Sequence, residues 1–221
     1  MKNILNKNDI ELGGFAGLKE HRLVMSSNLW GRYKNQGTFD GLGNFLYLAD
    51  AYFDPYGETM MHSHENVDVI SIMVEGDILH KGSLEDGLKF SKGDVQVQST
   101  GQEGFSHNEI NPNNTKNRML QLWFKPEHLK KHASYKIYTK SDEKLVDIYG
   151  ENTEFENSTS LKVIRLKLGE NYSYEDKFQA YIYKGSANVN SDVLKDGDLF
   201  EDDSLNLTAL EDTHFLLITL N

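Results

Sequence analysis

The chain has 221 residues, with 34 acidic against 23 basic side chains, a net charge of −11 and no cysteine. Without cysteine there can be no disulfide, thiolate nucleophile, zinc finger or iron–sulfur cluster, so any metal must be held by imidazole and carboxylate. The negative charge opposes contact with phosphate backbones and no basic cluster overrides it, so no direct nucleic acid binding is expected.

The opening residues MKNILNKNDIELGG lack the apolar stretch of a secretory signal. No later run approaches the roughly 18 apolar residues of a membrane span, so a cytoplasmic protein with no membrane contact is expected. Short alternating runs then dominate, the mark of half-buried strands. Residues 44–54, 67–75, 77–81, 93–99 and 118–124 read as strands bounded by Gly, Asp, Asn and Pro. Pro126–His132 reads as a short helix opened by its proline. Residues 161–168, 179–183, 186–190 and 213–219 are again strand-like. Turn residues at such regular spacing indicate an all-β sandwich or barrel.

Two landmarks recur. Val74-Glu75-Gly76 and Gly93-Asp94 return as Tyr183-Lys184-Gly185 and Gly197-Asp198, at offsets of 109 and 104 residues. The halves therefore read as two copies of one fold that differ by a hairpin of about five residues. The expected organisation is an N-terminal domain over 1–127, a polar linker with the short helix over 128–160, and a C-terminal domain over 161–221.

The chain has 8 histidines, and four of the residues of interest fall in two short motifs, His62-Ser63-His64 and His107-Asn108-Glu109. Alternate residues of a strand share a face, so H-x-H can aim two imidazoles at one ion and H-x-E can add a third imidazole and a carboxylate. Phe45, Tyr47, Met60, Met73 and Phe105 could line a pocket beside such a site, or simply fill a barrel. His80 follows the Gly76 turn and either packs or lines that pocket. His128 and His132 are four apart on the expected helix, where Lys125, Lys130 and Lys131 oppose a cation. His21 and His214 carry no supporting pattern and read as structural.

The order G57-x4-H62-x-H64-x3-D68, then Gly76, then G93-D94-x12-H107-x3-N111 resembles the two histidine motifs of the cupin superfamily. Within it, HSHENVDVISIMVEGDILHKGS followed by GDVQVQSTGQEGFSHNE is similar to the pirin family. That resemblance implies a bicupin, two tandem jelly-roll barrels with few short helices and a metal in the N-terminal one only. It makes His62, His64, His107 and Glu109 the metal ligands, with Glu109 also the catalytic base. The implied cofactor is one divalent transition metal, Fe(II) first, with Ni, Mn, Co, Cu or Zn as alternatives. The implied activity is that of a quercetin 2,3-dioxygenase, which cleaves a flavonol with dioxygen and loss of carbon monoxide. The alternative is a non-enzymatic, redox-sensitive regulator that binds a protein partner. Three residues depart from the family pattern: Ser63 stands for proline, Asp68 for glutamate and Asn108 for serine. None of these removes a ligand. The 109-residue offset carries His62 and His64 onto Asn171 and Ser173, which implies a metal-free second barrel.

Overall fold

The structure, a computed structural model, describes residues 3–221. Its frame is set by turn glycines. Gly76 and Gly185 have φ of +76° and +80°, and Gly93 and Gly197 both have φ of +97°, a region that L side chains enter only with strain. The aspartate after each second glycine repeats one contact: Asp94 accepts the Ser91 N–H and Asp198 the Lys195 N–H, both at 2.8 Å. The landmarks that recur in sequence thus recur as the same turns.

Strand β1 (Asn3–Asn6) comes first, followed by the eleven strands of one compact unit, Glu11–Ser141. These are β2 (Leu12–Phe15), β3 (Leu18–Met25), β4 (Phe45–Phe53), β5 (His62–His64), β6 (Asp68–Glu75), β7 (Asp77–Gly82), β8 (Asp86–Ser91), β9 (Val95–Ser99), β10 (Phe105–Ile110), β11 (Arg118–Phe124) and β12 (Ser134–Tyr138). They form a seven-stranded sheet, β12-β9-β6-β11-β4-β3-β2, and a four-stranded sheet, β5-β10-β7-β8. Helical structure here is one turn, α1 (Ser27–Trp30), with a following 3-10 turn. No helix among the described residues is long and apolar enough to cross a membrane.

The period of two grades the interior of this barrel in layers. Leu18, Ala51, Phe53, Met73, Ile78, Phe90 and Met119 close one end as an apolar cluster. Two residues along the same strands, Ser71 and Gln121 replace Met73 and Met119 and hydrogen-bond Glu109. Two residues further still lie Val69, Trp123 and His107.

The second unit comprises Asp142–Asn221 with the N-terminal residues up to Ile10. Its strands are β13 (Leu145–Tyr149), β14 (Thr159–Leu166), β15 (Asn171–Lys184), β16 (Ser186–Val189), β17 (Asp192–Lys195), β18 (Asp198–Ala209) and β19 (Thr213–Leu220). They pair in the order β13-β14-β19-β15-β18-β16-β17, with β1 joining β18. Its core is apolar, built from residues such as Ile164, Phe178, Ile182, Phe200, Leu205 and Phe215, with Tyr172 and Tyr174 packed on it. Both units are the cupin jelly-roll that the resemblance implies.

Two expectations are corrected. Residues 126–132 form bends and irregular chain rather than a helix. Leu129 is the one large apolar side chain there and is itself exposed, so a helix would have no apolar face to bury. The chain instead docks through Gln102 N–H on Lys130 O (2.9 Å) and Ala133 N–H on Glu103 Oε1 (3.0 Å). Nor is 128–160 a linker between domains over 1–127 and 161–221. β12 pairs with β9 and β13 with β14, which puts the junction near residue 141, while β1 belongs with β18.

A methyl group on Gly185 would sit 2.6 Å from Asp212 O at φ +80°. Gly185→Ala should therefore lower unfolding free energy by about 2 kcal/mol, read as a lower urea midpoint. An unchanged midpoint would remove this turn from the frame.

Candidate metal centre

β10 sits between β5 and β7, and this register assembles the site. His107 is opposite His62 and Phe105 opposite His64, while Glu109 is opposite His80. His107 Nε2 lies 3.1 Å from His62 Nε2 and 3.2 Å from His64 Nε2, and one ring nitrogen from each of the three falls within 4.8 Å of the others. Metal–nitrogen bonds of about 2.1 Å at tetrahedral or octahedral angles require nitrogens about 3.0–3.4 Å apart. The three imidazoles therefore fit a divalent transition metal.

Their outer nitrogens support the same reading. Met60, held at φ +63°, places its carbonyl 3.0 Å from His62 Nδ1, so Nδ1–H donates and the Nε2 lone pair faces the centre. Gln98 Nε2 lies 3.0 Å from His107 Nδ1, while Gln98 Oε1 is buried with no partner among the described residues. Turning the amide over lets His107 Nδ1–H donate to Oε1 and frees Nε2 to ligate. Burial holds the His64 pKa down to about 4, helped by the nearby His62, and pushes His107 well below its ordinary value. Neutral imidazoles are what a metal needs.

Glu109 stands apart from the three-histidine group. Fully buried, its carboxylate accepts from Ser71 Oγ at 3.1 Å and Gln121 Nε2 at 3.2 Å. Burial raises its pKa to about 7 against the pull of those two donors. Its backbone is fixed by Thr59: Glu109 N–H donates to Thr59 Oγ1 at 3.0 Å, and Thr59 N–H donates to Glu109 O at 3.0 Å. Asn108 turns outward to Thr59 and Glu58. Asp68 accepts the Thr100 N–H at 3.2 Å and lies outside the histidine group.

The remaining histidines separate cleanly. His80 is fully buried, its ring 5.5 Å from that of His107, and neither nitrogen has a partner among the described residues. His132 is exposed beside Glu103, 3.5 Å away; His214 packs on Tyr183, and His21 lies on β3. Of the pocket candidates, Phe45 and Met73 are core and Met60 is exposed. Phe105 lies 5.3 Å from His64, and Tyr47 4.7 Å from Trp123, whose ring is 5.5 Å from His64. A cleft of about 500 Å³ opens beside His64, lined by Ser63, Glu65, Ser83, Leu84 and Phe105. Thr59, Ser71, Gln98, Gln121 and Trp123 were not singled out by sequence. The alternating glutamines of VQVQS were the one available signal.

Untagged protein reconstituted with Fe(II) should carry about one equivalent of metal by plasma mass spectrometry, and His62→Ala/His64→Ala should lose it. The metal-free protein should also lose stability on acidification. His64 and His80 titrate near 4 when folded and near about 6.5 when unfolded. Their contribution is complete above pH 6.5 and falls as pH drops toward 4, because only the unfolded chain takes up protons there. Glu109, raised to about 7, opposes this slope, so Glu109→Gln should steepen it in melts between pH 4.5 and 6.5.

The Pirin family model matches residues 34–124. The pirin-like protein of Caulobacter vibrioides is 29% identical over 175 residues, 71% of this chain and 75% of that one. The quercetin 2,3-dioxygenase of Escherichia coli K12 is 30% identical over 67 residues, 30% of this chain and 29% of that one. Among solved structures, the bacterial pirin YhhW in complex with nickel(II) from Escherichia coli superposes with a TM-score of 0.85 at 17% identity, covering 99% of this chain and 98% of that one. Residues 34–124, which hold the histidine cluster, thus match the Pirin family, and the chain has the fold of the bacterial pirin YhhW.

Proposed function

We propose that this chain is a metal-dependent dioxygenase of the quercetin 2,3-dioxygenase type, working in the cytoplasm on a flavonol or a similar small aromatic enol. The observation that carries this reading is the convergence of three imidazoles, those of His64 and His107 held neutral by burial, beside one buried carboxyl group of raised pKa. His62, His64 and His107 hold the ion, with Glu109 assigned as fourth donor and as base. A bound divalent metal, Fe(II) in this reading, supplies a Lewis-acidic, redox-active centre for an enol and dioxygen.

The rest of the chemistry belongs to the chain. A carboxyl group titrating near 7 is poised to accept a substrate hydroxyl proton at neutral pH and to return it later. Ser71 and Gln121 steady its charged form. Phe105, Trp123 and Leu84 present apolar surface beside His64, which limits water around a reactive enolate. In the net reaction both oxygen atoms enter the opened product and one ring carbon leaves as carbon monoxide.

One observation favours the regulator alternative. Phe15 stands edge-on to His62 at 5.3 Å and is half exposed, with Met60 and Met61 about 60% exposed beside it. This rim offers a protein partner an apolar contact at the metal site. Oxygen uptake and carbon monoxide release with quercetin decide between the two. Metal-loaded protein should turn over, and Glu109→Gln should lower kcat by about 10²- to 10⁴-fold. No uptake with Fe(II), Ni(II), Mn(II), Co(II) or Cu(II) would shift the assignment to regulation.

A further inference from the structure

The chain contains two tryptophans, and they stack on each other. Trp30 lies 5.6 Å from Trp123 at an interplanar angle of 20°, and 5.2 Å from Tyr47 at 21°. Trp123 in turn meets the His64 ring edge-on at 5.5 Å. Its indole Nε1 is buried with no acceptor among the described residues, which is unusual for an indole N–H.

Trp30 reaches this stack from a strap over residues 26–40. Both ends of the strap are pinned to the barrel, by Ser26 N–H on Leu46 O at 2.9 Å and Met25 N–H on Phe39 O at 3.0 Å. Between them the backbone bonds close inside the strap: Leu29 and Trp30 N–H donate to Ser26 O, and Lys34 N–H to Gly31 O. Asp40 ties the strap to itself, accepting from Ser27 N–H at 2.7 Å and pairing with Lys34 Nζ at 2.8 Å. Gly31, directly after Trp30, has φ of +51°, and Gly37 has φ of +81°. On the outer side Leu29 and Tyr33 are exposed. Trp30 is thus a pre-shaped arm whose ring meets the barrel through stacking, a contact that any other flat ring reproduces.

We propose that Trp123, Tyr47 and Trp30 form a stacking slot for a planar, oxygenated aromatic ring beside His64, with Trp30 as its movable wall. The guest ring takes the face of Trp123 and Tyr47 that Trp30 now covers, and Trp30 closes over it as the strap turns at Gly31 and Gly37. An oxygen carried beyond the stacked ring accepts the unspent Trp123 N–H. The slot selects flat, multi-ring enols over aliphatic ones, because only a flat ring restores the stacking lost when Trp30 lifts. This rests on the aromatic-substrate reading of the same site.

The test uses full-length protein loaded with Zn(II), which binds without redox turnover, and quercetin as the probe. Two stacked indoles give a circular-dichroism couplet in the far ultraviolet. It should be present in the wild type, absent in Trp30→Phe, and diminish saturably as quercetin binds. By calorimetry, Trp30→Ala should strengthen binding up to about tenfold, because wild type gives up two aromatic pairs to lift Trp30 and regains one on the guest, and Trp30→Phe should return most of the way to the wild-type affinity. That return separates a stacking role from general damage to the fold. No binding of quercetin, an unchanged couplet at saturation, or wild-type affinity in Trp30→Ala would each overturn the slot. The two readings fail separately. Binding with these signatures but no oxygen uptake by redox-metal protein sinks the dioxygenase and keeps the slot. Turnover with no effect at Trp30 does the reverse.

Discussion

The pairing of β10 with β5 on one side and β7 on the other is the constraint on which the site depends. Because strand side chains alternate, this single register aims His107 at His62 and His64 and sends Glu109 two residues deeper. A slip of β10 by one residue would turn His107 and Glu109 away from the barrel interior. Polar clamps hold the register. Thr59 grips both backbone groups of Glu109. At the end of the strand, buried Asn111 donates to Asp54 O at 3.1 Å and Thr115 O at 2.8 Å, and accepts the Asn113 N–H at 3.1 Å.

Such an interior has an energetic cost. Besides Glu109 and the clustered imidazoles, buried polar atoms of His80, Gln96, Gln98 and Thr100 have no partner among the described residues, and each such group typically destabilises a fold by about 1–3 kcal/mol. The apolar layer built on Phe53, Met73, Phe90 and Met119 offsets part of this cost from the same barrel. Orphaned polar atoms beside His107, on His80 and Gln98, are the pattern of a site kept for binding rather than for stability.

The second unit uses the same turns for a different end. In β15 the pairing shifts between Glu175 and Phe178, with Asp176 at φ +128°. Before that bulge Asn171 and Ser173 are exposed while Tyr172 and Tyr174 pack on the core. The positions that correspond in sequence to His62 and His64 therefore face outward, and aromatic rings fill the interior instead.

Much of this was legible from sequence because it depends on short-range rules. Alternation located β4, β6, β7, β9 and β11, the glycine–aspartate pairs marked the repeated turns, and H-x-H with H-x-E named the cluster. What sequence could not supply was pairing. β12 and β13 are brief strands; the partner of β12, β9, lies beyond β10 and β11, and β13 pairs with the next strand, β14, across a polar loop, so a polar stretch read as a linker. The roles of Gln98, Thr59 and Trp123 follow from cross-strand contacts that no local pattern encodes. The sequence by itself determined the residue chemistry available: imidazole and carboxylate without thiol, on strands of period two. The tertiary structure alone decided that three imidazoles converge, that Glu109 is buried with Ser71 and Gln121, and that Trp30 stacks on Trp123 and Tyr47. Those outcomes depend on which distant strands become neighbours, and strand pairing is a property of the whole fold.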